Sequence, residues 1–490
     1  MFTSMRFSAL VAVTIFAACA RAQSVDPFNP VPGANPIAVA VQADGKILLG
    51  GDFSDIGGTV RGGVARLNVD GSIDTSFVDP NVDSEVRAIA VQPDGRILIG
   101  GAFDQAGGQP RHDLARLNAD GSLDTGFSDP DLHNGAASGT VWSIALQPDG
   151  KILIAGDFTE IGATAQSYLA RLSAAGARDT GFADPQLCCL PARSVALQAD
   201  GKILVAGSFS QAGGSTHFYL ARYSTSGSLD TAFPADEPPG PIGSGIAVGG
   251  DGSIYVDGGY LTSNQMNSRL VSELSTSGAL VSSYDDLSND GSADTFVLQP
   301  DGKLLIGGTF ETVASQSRHA LMRLNADGTL DTDFRDLAFS LDATHPNGTI
   351  YGLAAQADGR ILAVGNFTLV DGQPRQLAAR VATGDFVTSA LVVQGSGSAL
   401  TATWYRLGDG PELAQPPVLE HSTDGVNFTA FGPMVRVANG WQVTAPYNVH
   451  GALFYLQAIG TTASGAEDGS VGRVASGTYT NDTIFHGDFE

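Results

Sequence analysis

A chain of 490 residues is longer than one hydrophobic core usually organises, so two domains, or a repeat array with a satellite, are expected. Its 62 glycines, 43% apolar residues and only 16% charged residues suit many short strands joined by tight turns and argue against long surface helices. A formal net charge of −25 repels nucleic-acid backbones and anionic membrane surfaces, so neither is an expected partner.

The chain opens with a targeting pattern. Arg6 supplies a positive start, Ala9 to Ala18 form an apolar stretch too short to span a bilayer, and Ala20-Arg21-Ala22 has the small-x-small form of a cleavage site. Residues 1–22 are therefore expected to be a signal peptide, with no transmembrane segment, and the chain to be secreted, periplasmic or at the cell surface. Loss of Arg6 and Arg21 takes the net charge from −25 to −27. Phe16-Ala17-Ala18-Cys19 leaves one alternative, a lipoprotein anchored at Cys19. Beyond the leader only Cys188 and Cys189 are left, and neighbouring cysteines pair only through a strained ring. No disulfide framework is expected, and the pair is read as part of a plain loop.

A repeat dominates the next 360 or so residues. Its anchor is an apolar strand, an Asp-Gly turn and a second apolar strand, as in AIAVQPDGRILIGGAF from Ala88 to Phe103. The Asp-Gly recurs at Asp44, Asp94, Asp149, Asp200, Asp251, Asp301 and Asp358, at spacings of 50, 55, 51, 51, 50 and 57 residues. Each copy reads as four strands; in the second they are Ala88 to Gln92, Arg96 to Gly101, Asp113 to Asn118 and Ser122 to Phe127. The first two are apolar on both faces and need cover on both sides. Sheets packed radially as the blades of a seven-bladed β-propeller supply that cover.

Two aromatic positions recur and are expected to fill the space between blades. Phe53, Phe103, Phe158, Phe209, Tyr260, Phe310 and Phe367 follow the second strand; Phe77, Phe127, Phe182, Phe233, Tyr284 and Phe334 end the fourth. The last copy, through Leu377 to Phe386, lacks a fourth strand, whereas Ser24 to Phe28 resembles one. The N-terminus is therefore expected to complete the last blade and remove the free edges of an open array.

Charges recur as well. Arg66, Arg116, Arg171, Arg222, Arg323 and Arg380 hold one position of the third strand, and Asp74, Asp124, Asp179, Asp230 and Asp331 one position of the fourth, with Asp26 completing the seventh copy. The fifth copy loses both at once, having Glu273 and Val281. Joint loss predicts a cross-strand ion pair that fixes geometry; a ring of arginines holding an anion in the channel is the functional alternative. The Asp-Gly turns, and a second set in NVDGSID, NADGSLD and NADGTLD, lack the spacing of an EF-hand, so turn chemistry is preferred and calcium is the alternative. The histidines, among them His112, His133, His217, His319 and His345, lie in loops without metal-ligand spacing. No nucleophile elbow, phosphate loop or HExxH is present, so no catalytic, cofactor-binding or metal residue is assigned and no cofactor is expected.

After about Val387 the repeat stops. Leu400 to Leu407, Pro417 to Ser422, Val426 to Phe431, Gly440 to Ala445, Leu453 to Ile459 and Gly472 to Ser476 read as strands with Trp404, Trp441 and Tyr455 as core aromatics, a small sandwich of immunoglobulin or fibronectin type III kind. The expected order is thus a leader 1–22, a propeller 23–387, a β-sandwich 388–480 and a tail 481–490 carrying Phe485 and Phe489.

The unit LARLNADGSLDTGF with IALQPDGKILIAGDFTEIG, Leu114 to Phe127 and Ile144 to Gly162, resembles the delta-60 repeat of exported bacterial proteins. The resemblance implies an envelope or extracellular propeller and brings no established activity. Two functions follow as expectations: a monomeric binding or adhesion scaffold for a protein or glycan, and, as the alternative, a hydrolase or lyase acting on extracellular polymer at the propeller channel.

Overall fold

Apolar runs broken by Asp-Gly turns fold into strands and tight hairpins. In the computed structural model every regular element among the described residues is a β-strand, and none is a helix able to cross a membrane. The described residues are 23–233, 245–257, 269–285, 291–299, 301–342, 344–345, 347–356 and 359–383, and in the C-terminal region 388–396, 399–407, 417–422, 427–437, 440–446, 455–464 and 470–480. The leader, Cys19, Tyr260 and the tail 481–490 lie outside them.

In the second unit Glu85–Val91 pairs antiparallel with Ile97–Ala102, and Leu114–Leu117 adds to the other edge of Ile97–Ala102. The turn between the first two works because Gly95 adopts a φ of 85° without a side-chain clash and Asp94 accepts the Arg96 amide at 3.0 Å. The same three-stranded order appears in the sheets opened by Pro36–Val41, Val141–Leu146, Ala192–Leu197 and Ser292–Leu298. Two sheets, opened by Ile246–Val248 and Thr349–Ala355, have four strands.

The full fourth strand expected in each copy is a correction. Leu123 forms a single bridge to Leu117, and the chain then turns away because Asp124 Oδ1 accepts the Gly126 amide at 2.9 Å. Where Val281 replaces that aspartate there is nothing to fold the chain back, and Leu280–Asp285 runs as a full strand beside Arg269–Leu274. The seventh sheet receives its fourth strand from the other end of the chain. Ser24 pairs with Ala382 and Val25 with Val381, as the sequence predicted.

The first strand of each sheet packs against the first strands of the sheets before and after it, and Thr349–Ala355 packs against Pro36–Val41. Between sheets lie the recurring aromatics. Phe77 is buried among residues of the first and second sheets, Phe127 among those of the second and third, and Phe28 among those of the first and last. Phe53, Phe103, Phe158, Phe209, Phe310 and Phe367 are likewise buried. Each fully buried ring contributes about 1.5–3 kcal/mol of hydrophobic stabilisation, so the spacing of these rings sets the spacing of the sheets.

The cysteines are a second correction: Cys188 and Cys189 are disulfide-bonded to each other. The segment is still a loop between sheets, tied by a bridge from Cys188 to Gln211, and the left-handed φ of 84° at Cys189 reverses the chain there.

The C-terminal region forms two four-stranded antiparallel sheets. One contains Thr388–Ser396, Ala399–Leu407, Gly440–Pro446 and Val435–Val437; the other Thr429–Pro433, Val418–Ser422, Tyr455–Ser464 and Ser470–Thr480. Trp404 and Trp441 sit opposite each other in the first and are buried. The Tyr455 side chain is outside the described residues. Thr388–Ser396 and Val435–Val437 were not anticipated. The backbones of Tyr455–Ser464 and Ser470–Thr480 run against the first strands of several repeat sheets.

Candidate functional site

The recurring charges form a structural device. Arg116 Nε donates to Asp124 Oδ2 at 2.8 Å, its guanidinium lies 4.6 Å from the centre of the Phe127 ring, and Nη1 donates to the Ala174 carbonyl of the next sheet. Arg66, Arg171 and Arg222 repeat the pattern with Asp74, Asp179 and Asp230, and Arg323 pairs with Asp331. Each arginine therefore neutralises the aspartate of its own sheet and covers an aromatic ring, and Arg66, Arg116, Arg171 and Arg222 also tie the turn of the following sheet. Burial alone would raise the Asp124 carboxyl, but the Gly126 amide and Arg116 bring it below its ordinary value. In the fifth sheet Glu273 takes a hydroxyl instead, accepting from Ser282 at 2.8 Å. The ion pair holds, and the alternative of an anion-binding ring is not what these arginines form.

A different set of residues faces inward. In six sheets the first strand carries a β-bulge at one fixed place, seven residues before the Asp of the turn: register shifts at Pro36/Ala38, Val86/Ala88, Val141/Ser143, Ala192/Ser194, Ala293/Thr295 and Ile350/Gly352. The bulge is possible because the opposing residue is glycine. A Cβ at Gly101 would stand 2.0 Å from the Glu85 carbonyl oxygen, and Gly156 and Gly308 meet the same obstacle. The residues so re-aimed are Ile37, Arg87, Trp142, Arg193, Asp294 and Tyr351, each half-buried between fully buried neighbours. Ser244, at the same place in the fifth copy, lies outside the described residues.

Three of them form a stack. Arg87 lies 4.2 Å and Arg193 4.3 Å from the Trp142 ring centre, one from the sheet before and one from the sheet after. Glu85 pairs with Arg87. Arg193 has no carboxylate partner among the described residues, and the buried Nε1 of Trp142 and Nε of Arg87 make no hydrogen bond. Farther round the ring, burial pushes the Asp294 carboxyl up to about 6.

A second cluster joins the second and third sheets. His112 Nδ1 lies 2.8 Å from Asp129 and 3.4 Å from Asp131, His133 Nε2 lies 3.0 Å from the same Asp131 oxygen, and the imidazole rings are 6.1 Å apart. His133 arrives on a small hairpin, Leu132–Asn134 with Ala137–Ser138, built from the residues that stretch this spacing to 55. The sequence places these histidines in loops without metal-ligand spacing, and the fold brings two of them, His112 and His133, side by side. Although burial opposes it, Asp129 holds His112 above its ordinary value. Beside it Asp113 is 0% exposed, has a φ of 63°, and neither carboxylate oxygen has a hydrogen-bond partner. Burial and the neighbouring Asp104 push its carboxyl up to about 7. His319 repeats the His112 contact with Asp336. Among the described residues no three His, Cys, Asp or Glu side chains are arranged to hold a metal ion.

Neither the inward ring nor Asp113 was singled out from the sequence, because both sit where the repeat does not repeat. That variability was the available signal: the ring position reads Ile, Arg, Trp, Arg, Ser, Asp, Tyr along otherwise uniform strands.

With repeated antiparallel sheets packed first strand to first strand around this ring, the chain is an all-β protein of β-propeller repeats. Six segments, 42–77, 92–127, 147–182, 198–233, 299–334 and 356–385, match the family described as "Domain of unknown function (DUF5122) beta-propeller". No curated protein matches the chain. Among solved structures it is similar to a protein of unknown function from Bacteroides caccae, at 14% identity and a TM-score of 0.33 over 58% of this chain and 91% of that one. It is also similar to AztD of Citrobacter koseri, at 11% identity and a TM-score of 0.27 over 84% of this chain and 98% of that one.

Proposed function

We propose that the chain is an exported binding scaffold: a closed, seven-bladed propeller that takes its ligand at the inward ring of bulged residues, followed by an immunoglobulin-like or fibronectin III-like sandwich. The unbroken circuit of packing between first strands, and the pairing of Ser24–Val25 with the last sheet, support closure. The order is a leader 1–22, a propeller 23–387, a sandwich 388–480 and a tail 481–490, as an envelope or extracellular monomer of the delta-60 kind. The observation that carries the binding reading is the Arg87–Trp142–Arg193 stack, a half-buried group that three of the six bulges and their opposing glycines bring together.

A screen of the purified mature chain against extracellular glycans and envelope proteins tests it. Binding that disappears in Trp142→Ala, with the melting temperature retained, is the expected result. Binding that survives this change moves the ligand site to the loops. Asp294 favours a second reading, polymer cleavage, because a carboxyl pushed up to about 6 keeps its proton into mildly acidic conditions, as a general acid needs. Turnover of a glycan by the wild type and none by Asp294→Asn would select it.

A further inference from the structure

We infer that the Arg87–Trp142–Arg193 stack is a site for an oxyanion, a carboxylate, sulfate or phosphate group borne by the ligand; this rests on the reading of the inward ring as the binding site. The first argument is composition. Two guanidinium groups and one indole N–H supply donors only, and the single acceptor among them, Glu85, is taken by Arg87. The second is charge. In a chain of net charge −25, the recurring arginines Arg66, Arg116, Arg171 and Arg222 each have an aspartate beside them, whereas Arg193 is a half-buried cation with no carboxylate partner among the described residues. A half-buried guanidinium without an anion is free to make charge-assisted hydrogen bonds of planar, forked geometry to an incoming oxyanion.

The third argument is geometry. The indole is covered by guanidinium groups from the two adjacent sheets, so its faces are not available for stacking against a sugar ring. Its role is to hold both arginines rigid at a cation–π distance, which cuts the entropy lost when they bind. What such a stack offers a ligand is a guanidinium edge, that of Arg193 above all, since Trp142 Nε1 and Arg87 Nε are buried; a guanidinium edge suits an anion and not a neutral carbohydrate.

The test uses the mature chain and three probes: inorganic phosphate, inorganic sulfate and an oligogalacturonate. Trp142 is one of three tryptophans, so intrinsic fluorescence reports occupancy alongside calorimetry. At least one probe is expected to bind with an affinity that falls as salt rises. Arg193→Gln should weaken it at least tenfold, and Arg193→Lys should restore part of the loss. Should Arg193→Gln lower the melting temperature, Trp142→Ala, which releases both arginines from the ring, supplies the second variant, and anion binding weakened at least tenfold is expected of it. Absence of binding for all three probes, or equal binding by wild type and Arg193→Gln, overturns the oxyanion site. A neutral glycan or a protein that binds in a Trp142-dependent manner while the anions do not would overturn it and leave the scaffold reading standing. Preference for the oligogalacturonate over both inorganic ions identifies a polymer-borne carboxylate; the reverse order identifies the free ion.

Discussion

Arg380 Nη2 donates to Asp26 Oδ1 at 3.0 Å, across 354 residues of chain. Arg360 Nη1 reaches the other oxygen at 2.9 Å, and Arg380 Nη1 donates to the Val69 carbonyl of the first sheet. Asp26 thus joins the beginning of the chain to its last sheet, and Arg380 joins that sheet to the first. The other Arg–Asp pairs of this kind come from neighbouring sequence; here the pair must be assembled after the whole repeat has folded. Asp26→Ala leaves two buried or half-buried arginines facing each other, so a loss of about 2–4 kcal/mol is expected, read as a lower denaturation midpoint. A midpoint within error of wild type would mean that the N-terminal strand is not what holds the ends together.

The internal pairs make a graded comparison. Asp124→Ala removes the partner of Arg116 and the acceptor for the Gly126 amide, and should cost about 1–3 kcal/mol. Asp120→Ala, one turn away and exposed, loses only the two turn hydrogen bonds that Asp120 accepts from the Ser122 amide and hydroxyl and should cost less than about 1 kcal/mol. The paired carboxylates also set the acid limit. Asp26, Asp124, Asp179, Asp230 and Asp331 all lie below their ordinary values in the fold. Groups depressed on folding stabilise above the unfolded pKa of about 4 and cease to do so as pH falls through the folded values, so unfolding should set in below about pH 4. Equal losses for the two alanine variants would contradict the pairing.

Gly101→Ala tests the link from scaffold to site. The added Cβ would meet the Glu85 carbonyl at 2.0 Å, and the inner strand can relieve this only by giving up the bulge that aims Arg87. Reduced stability of about 1–3 kcal/mol is expected, together with a change in Trp142 fluorescence as Arg87 leaves the indole. Unchanged emission in a folded variant would show that the glycine does not govern the ring.

What could be read from the residues alone was whatever recurs. Asp94 and Gly95, Phe103 and Phe127, Arg116 and Asp124 each announce themselves by repetition, and turn, interblade filling and ion pair followed from their chemistry. The short fourth strand escaped notice because Asp124 both pairs with Arg116 and ends the strand, and only the first role is visible in a pattern of charges. Val281 could have disclosed the second. Arg87, Trp142 and Arg193 were illegible for the opposite reason: they fall where copies differ, and their convergence depends on a bulge that leaves no mark except the opposing glycine.

Asp113 is the sharpest departure from the repeat. The equivalent left-handed residues are Gly63, Tyr168, Tyr219, Ala320 and Leu377, so among the described copies a carboxyl here is unique to the second unit. Aspartate tolerates that backbone conformation, but its side chain is buried with no partner. Its folded pKa, pushed up to about 7, exceeds the unfolded value of about 4. The folded state therefore holds this proton more tightly, so the stabilisation is complete below about pH 4 and is lost as pH rises toward 7. Up to about 4 kcal/mol is at stake, since every tenfold gain in proton affinity on folding corresponds to about 1.4 kcal/mol. Asp113→Asn keeps the shape and the tolerance for positive φ while removing the ionisation. Denaturation midpoints measured from pH 4 to 8 should fall for the wild type relative to this variant, with the gap widening up to about pH 7 and constant above it. Parallel midpoints across the range would mean that Asp113 remains ionised in the fold, and that something other than a proton compensates its charge.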